Sequence, residues 1–195
     1  MKRKAKVDRK THEVKVNVEV NIDGTGKFDV KTGIPFFNHM LNQMAKHGYF
    51  DFKVKALGDI EVDFHHTVED VGITLGEAFA EAIDDKKGIS RYGHAIIPFD
   101  ETLVTAAVDL SGRPHFVYKA DIPKCKVGDF DSELVEEFFK SFANALCCNL
   151  HIELRYGSNV HHNIEAMFKA VAKALDSATK IDPRSKQIPS TKGKL

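Results

Sequence analysis

His65-His66-Thr67-Val68-Glu69 and His161-His162-Asn163-Ile164-Glu165 are two copies of one pattern, 96 residues apart in a chain of 195. A period near half the chain length points to an internal duplication, so the stretches around each copy compare as repeats. Before the first copy, Val14, Val16, Val18 and Val20 alternate with polar residues between Thr11 and Ile22, the period of a half-buried strand. Asp23-Gly24-Thr25-Gly26 supplies turn chemistry, and Phe28 to Val30 returns as a second strand. Phe36, Phe37, Met40, Leu41 and Met44 fall at helical spacing over Phe36 to His47, with Gly48 as the stop. A strand from Phe50 to Ala56 follows, then a helix from His66 to Lys87 ending at Gly88.

The second half repeats the order. Thr102 to Leu110 reads as a strand, Ser111-Gly112-Arg113-Pro114 as a turn and His115 to Lys119 as a strand. Ser132 to Cys148 reads as a helix, Leu150 to Arg155 as a strand and His162 to Thr179 as an amphipathic helix. Each half is therefore ββαβα. Such halves form an α+β fold, each with its helices on one face of a sheet, and two of them pack with the helices between the two sheets. The halves are residues 1–88 and 89–180. Residues 181–195 carry Pro183, Pro189 and Ser190-Thr191-Lys192-Gly193 and read as a C-terminal tail.

Composition narrows the function classes. Lys plus Arg and Asp plus Glu balance at 28 each, which argues against a nucleic-acid partner, since such proteins carry a basic excess. No apolar run approaches the roughly 20 residues that cross a bilayer, and no signal-like apolar segment follows the first residues, so no membrane partner is expected. Three cysteines, two of them adjacent, make no disulfide framework or zinc-like spacing and point to the cytoplasm.

The paired histidines suit metal. On a helix, positions i and i+4 share a face, so His65 can share an ion with Glu69, and His161 with Glu165. Adjacent residues diverge by about 100°, so His66 and His162 serve a different ion. Crossing the two motifs gives His161, Glu165 and His66 at one site and His65, Glu69 and His162 at the other. The first helix of each half offers a fourth ligand, His39 in one and Glu137 in the other. Nitrogen and carboxylate donors without thiolate suit Mn, Fe or Zn, and octahedral Mn²⁺ fits best if positions stay open for substrate.

Taken with Thr32-Gly33-Ile34-Pro35-Phe36-Phe37-Asn38-His39-Met40-Leu41, Asp63-Phe64-His65-His66-Thr67-Val68-Glu69-Asp70, Arg91-Tyr92-Gly93, Ser111-Gly112-Arg113-Pro114 and Gly157-Ser158-Asn159-Val160-His161-His162-Asn163-Ile164-Glu165-Ala166-Met167-Phe168-Lys169-Ala170, the chain resembles the imidazoleglycerol-phosphate dehydratase family from about Arg9 to Gly193. The resemblance implies two halves like domain 2 of ribosomal protein S5, two Mn²⁺ per subunit at subunit boundaries, and a homo-oligomer of twenty-four chains. It assigns His39, His66, His161 and Glu165 to one metal. The other takes His65, Glu69, His162 and a residue that is histidine in many members and Glu137 here.

The reaction implied is loss of water from D-erythro-imidazoleglycerol phosphate to give imidazoleacetol phosphate in histidine biosynthesis, through a metal-bound imidazolate. Glu13, Glu165 and Glu69 are the candidates for base and proton shuttle, with Glu13 also touching substrate. Arg91, Arg113 and the Ser190, Thr191, Lys192, Gly193 segment are the expected phosphate site. A dinuclear metallohydrolase of a phosphorylated small molecule uses similar ligands and is the rival enzyme reading. A metal-dependent structural assembly is the rival outside enzymes.

Overall fold

The computed structural model describes residues 3–195, so the first two residues of the first half lie outside the described part. Two four-stranded sheets carry the chain, in the orders β1-β2-β4-β3 and β5-β6-β10-β7. The first half is β1 (Lys4–Lys10), β2 (Val14–Asn21), β3 (Phe28–Lys31), α1 (Pro35–Gly48), β4 (Asp51–Gly58) and α2 (His65–Ile83). The second is β5 (Tyr92–Phe99), β6 (Thr102–Asp109), β7 (His115–Lys119), a small hairpin of β8 (Lys126–Val127) and β9 (Phe130–Asp131), α3 (Leu134–Leu146), β10 (Asn149–Tyr156) and α4 (Val160–Thr179). In both sheets the last-placed edge strand runs parallel to its neighbour, β3 to β4 and β7 to β10, and the other pairs are antiparallel.

The α+β class and the duplicated halves stand as the sequence implies; each four-stranded sheet gains one edge strand, and the second half also gains the β8–β9 hairpin. β1 and β5 escape sequence reading for physical reasons. Lys4-Ala5-Lys6-Val7-Asp8-Arg9-Lys10 lies at a sheet edge and offers Ala5 and Val7 to the core between charged residues. β5 contains Gly93 and Pro98, which sit in a strand at an edge. The α2 helix ends at Ile83, four residues short of the expected Lys87, because Asp84 turns out of the helix at φ 57°. The expected α3 shortens to Leu134–Leu146, ended by Cys147 in the left-handed conformation.

The helices form a double layer between the sheets. α2 lies across β1 and β2, and α4 across β5 and β6, while α2 packs on α3 and α1 on α4. The α2–α3 crossing is close, because a Cβ on Gly72 would come 2.8 Å from the Phe138 carbonyl oxygen and one on Gly76 2.6 Å from that of Phe142. Phenylalanines join the halves: Phe37 meets Phe138 edge-on at 5.3 Å and Phe79 meets Phe142 at 5.6 Å. One hydrophobic cluster contains Val14 to Val54 of the first half and Val104 to Ile152 of the second, so neither half closes a core of its own. Residues 181–195 fold back on the chain. Ile181 bridges Ile89, Gly88 N–H donates to Gln187 O at 3.0 Å, and Arg91 Nη1 donates to Pro189 O at 2.9 Å. None of the helices among the described residues is long and apolar enough to cross a membrane.

Candidate metal centre

Both histidine pairs open a helix, and the backbone there is held in the same way. The Asp63 side chain accepts from His65 N–H at 2.7 Å, and the Asn159 side chain accepts from His161 N–H at 2.9 Å and His162 N–H at 3.3 Å. These acceptors satisfy helix-start donors that have no partner within the helix. The rings of each pair then diverge alike, at 87° for His65 and His66 and 78° for His161 and His162. In the second copy the two side chains reach different partners, His161 the Glu165 carboxylate and His162 that of Glu101.

Around the second copy three of the four expected ligands meet. His39 Nε2 lies 3.0 Å and His161 Nε2 3.2 Å from the same oxygen of Glu165, Oε2. Among the described residues these three place a ligand atom each within 4.8 Å of one another. The histidine side chains are 44% and 42% exposed against 7% for Glu165, so the trio has a buried anionic floor and an open top. Lys169 Nζ holds the other Glu165 oxygen at 2.6 Å and rests over the Phe99 ring at 3.7 Å from its centroid. Burial pushes the Glu165 carboxyl up, but the Lys169 ammonium, with His39 and His161, holds it below its ordinary value. It is a carboxylate, and two imidazole nitrogens with one carboxylate oxygen form a donor set that suits Mn²⁺, Fe²⁺ or Zn²⁺.

The other expected ligands stand apart within one chain. His66 Nδ1 is 3.0 Å from Asp59 Oδ2 and 3.7 Å from Glu13 Oε2. His162 Nδ1 is 2.8 Å from Glu101 Oε2. The Glu101 carboxyl is held down to about 2 by His162 first and by Asn159 N–H next. His65 and Glu69 open α2 as expected, and Glu137 on α3 pairs with Lys140 at 3.4 Å.

The polar line continues along α1 and α4. Gln43 Oε1 lies 3.0 Å from His47 Nε2, and burial followed by the charges of Lys169 and Lys173 pushes the His47 imidazole below its ordinary value. His39, Gln43 and His47 are four apart on α1, as are His161, Glu165, Lys169 and Lys173 on α4, so two i, i+4 ladders face each other. Gln43, His47, Lys169 and Lys173 were missed by sequence reading, although this spacing carried the signal.

The expected phosphate residues occupy another region. Arg91, at φ 70°, donates to both oxygens of Asp109 at 2.7 and 3.1 Å, and its own carbonyl accepts from Leu110 N–H. Ser111 to Arg113 follow directly, with Arg113 exposed. The tail is drawn to the same place, since Gly112 and Leu195 are in close approach. Ser190 Oγ accepts from Lys192 N–H at 3.2 Å and Ser190 O from Gly193 N–H at 3.0 Å, which shapes this part of the tail.

The model of the imidazoleglycerol-phosphate dehydratase family matches residues 32–175, which include both histidine motifs, α1 and α3. The chain belongs to the imidazoleglycerol-phosphate dehydratase family. Imidazoleglycerol-phosphate dehydratases of Trichlorobacter lovleyi and Pelobacter propionicus are 58% and 56% identical over 195 residues, the whole of both chains in each case. The imidazoleglycerol-phosphate dehydratase structure from Staphylococcus aureus superposes with a TM-score of 0.83 at 40% identity, covering 92% of this chain and 99% of that one. The Pyrococcus furiosus structure, a complex with (S)-C348, gives 0.84 at 35% identity, covering 97% and 100%. Family membership thus extends over the entire fold, including the strands β1, β2 and β3 that precede the matched residues.

Proposed function

We propose that this chain is a manganese-dependent hydro-lyase that converts D-erythro-imidazoleglycerol phosphate to imidazoleacetol phosphate in histidine biosynthesis. The observation that carries the reading is the convergence of His39, His161 and Glu165 in a member of this family. Bound there, Mn²⁺ would act as a Lewis acid and lower the pKa of a coordinated ring N–H.

The chain's own residues divide the remaining work. Glu165 supplies the negative floor, and Lys169 fixes its orientation through Oε1. Because both Glu165 oxygens are engaged, it is a poor candidate for the base. Glu13 is better placed: its side chain is 56% exposed and stands 3.7 Å from His66. It is the group we assign to moving the carbon-bound proton, with Glu69 and Glu165 serving the metals. Arg91, Arg113, Ser190, Thr191, Lys192 and Gly193 would receive the phosphate, with the guanidinium forks matching its oxygens.

Distance argues that two subunits complete each site. Arg91 N–H donates to Ala178 O near the end of α4, and His161 stands at the start of that helix. At about 1.5 Å per residue the two ends are about 25 Å apart. The substrate's three-carbon arm, with bonds of about 1.5 Å, covers well under half of that. Metal ligands and phosphate cations must therefore come from neighbouring copies, which supports a homo-oligomer with sites at subunit boundaries.

The test is turnover of imidazoleglycerol phosphate after chelation and Mn²⁺ restoration, with metal content of His161→Ala measured in parallel. Metal-restored loss of water, absent in His161→Ala along with bound Mn²⁺, is the expected result. Full turnover after exhaustive chelation would overturn the metal reading. Release of inorganic phosphate instead of water loss would favour a metallohydrolase.

A further inference from the structure

The second histidine of each motif is gripped at Nδ1 by a carboxylate, but not by equivalent carboxylates. Glu13 and Glu101 are equivalents, each the residue before its strand, β2 or β6. In the second half Glu101 makes the contact itself, at 2.8 Å to His162. In the first half Asp59 makes it, at 3.0 Å to His66, and Glu13 stays at 3.7 Å.

The exchange has a visible origin. Gly58 at the end of β4 faces Thr67 and Val14, and Gly157 just after β10 faces their counterparts Asn163 and Thr102, so the residues that follow, Asp59 and Ser158, correspond. The second half thus has a serine where the first has a carboxylate, and Ser158 gives only its N–H, to Glu101 at 3.3 Å. Asp59 also has little else to do. Its Oδ2 meets His66, while its Oδ1 is buried without a hydrogen-bond partner. A carboxylate retained with an unpaired buried oxygen is costly unless its remaining contact serves a purpose.

We propose that Asp59 and Glu101 are positioning residues that hold His66 and His162 in the Nδ1–H tautomer, and that the transfer of this task to Asp59 is what leaves Glu13 free for proton transfer. A carboxylate only accepts, so the imidazole must donate from Nδ1, and the Nε2 lone pair is left bare as a metal ligand. At His162 the nearby Asp100 oxygen is 3.8 Å from Nε2, beyond hydrogen-bond reach. Glu101 additionally accepts from Asn159 N–H at 2.8 Å and Ser158 N–H at 3.3 Å, which ties the clamp to the loop that starts α4. The inference rests on the proposed function for what the freed Glu13 does, and on geometry alone for the tautomers.

The experiment uses the full-length assembled protein. Nitrogen-15 solid-state NMR of histidine-labelled, chelated protein above the histidine titration range reads the tautomers, and Mn²⁺ titration followed by electron paramagnetic resonance reads affinity. Glu101→Ala and Asp59→Ala should each take one histidine out of the Nδ1–H form and weaken one class of Mn²⁺ site about 10- to 100-fold. Turnover in both should return at saturating Mn²⁺. Glu101→Gln and Asp59→Asn, which keep an acceptor oxygen, should fall between these and wild type. Glu13→Ala should keep wild-type tautomers and Mn²⁺ affinity yet lose turnover at every Mn²⁺ concentration. Wild-type tautomers and affinity in Glu101→Ala would overturn the clamp, and this variant decides it even if Asp59→Ala fails to fold. Loss of Mn²⁺ affinity in Glu13→Ala would overturn the division of labour. Should wild-type protein bind no Mn²⁺, the metal reading fails separately, and the tautomer measurement still judges the clamp.

Discussion

Glu137 occupies on α3 the place that His39 occupies on α1. Each stands ten residues before the left-handed residue that ends its helix, Tyr49 at φ 59° and Cys147 at φ 54°. His39 reaches Glu165, whereas Glu137 turns to Lys140 at 3.4 Å with 22% of its side chain exposed. The duplication therefore puts a carboxylate where its counterpart is an imidazole.

If Glu137 joins His65, Glu69 and His162 in holding a second ion, Glu137→Gln should weaken that ion alone, because a neutral amide is a poorer Mn²⁺ ligand than a carboxylate. Glu137→His should be tolerated. The His39, His161 and Glu165 site should keep its metal in both. Elemental analysis of purified variants provides the check. An unchanged metal-to-subunit ratio and Mn²⁺ affinity in Glu137→Gln would leave Glu137 as a helix carboxylate paired with Lys140.

The equivalence of Glu137 and His39 was legible from sequence because both sit on amphipathic helices that precede a copy of the duplicated motif. So was the trio, since the i, i+4 rule fixes His161 against Glu165. Asp59 and Glu101 were not legible. Each lies beside a strand end, and only sheet pairing and the return of α2 or α4 bring it to a histidine. β1 stayed hidden for a related reason: its inward residues are Ala5 and Val7, and its pattern becomes apolar on one side only when β2 and α2 cover it.

The α2–α3 contact gives a stability prediction. Alanine is the better helix former, and Gly76→Ala on an exposed helix should gain about 1 kcal/mol. Here the added Cβ would lie 2.6 Å from the Phe142 carbonyl oxygen and 2.8 Å from Ala145 Cβ. Backbone on the far side cannot rotate away, so the substitution should instead cost about 1–3 kcal/mol. Chemical denaturation should show a lower midpoint with an unchanged slope; a raised midpoint would mean that the helices separate at no cost.

Asp51 sets an acid limit on the first sheet. It accepts from Thr25 N–H at 2.9 Å, Lys27 N–H at 3.0 Å and Asn21 Nδ2 at 3.1 Å. Burial pushes its carboxyl up, but these donors, led by the two backbone amides, hold it below its ordinary value of 3.8. A carboxyl depressed on folding adds stability that is fully present above its unfolded pKa and is lost as pH falls through the folded value. Asp51→Asn should therefore be less stable than wild type at neutral pH, with the difference shrinking as pH falls below 3.8. Thermal melts across that range decide the matter, and a difference constant with pH would remove ionisation from the explanation.

The last prediction turns on the separation along α4. His161 and the Arg91–Arg113 region lie at opposite ends of that helix in one chain, about 25 Å apart. If each site draws metal ligands from one subunit and phosphate cations from another, two inactive variants should rescue each other. His161→Ala removes a metal ligand and leaves the cations; Arg113→Ala removes an exposed cation and leaves the trio. Each homogeneous variant should be severely impaired. In particles reassembled from an equal mixture, a site needs intact ligands from an Arg113→Ala chain and an intact arginine from a His161→Ala chain. Random mixing gives both in about one quarter of the sites of a closed symmetric assembly. Turnover should thus rise toward a quarter of wild type after disassembly and co-assembly, and should not rise on mixing intact particles. Sites completed within one chain give a different result, because every chain in the mixture then carries one defect and activity stays at the average of the two variants.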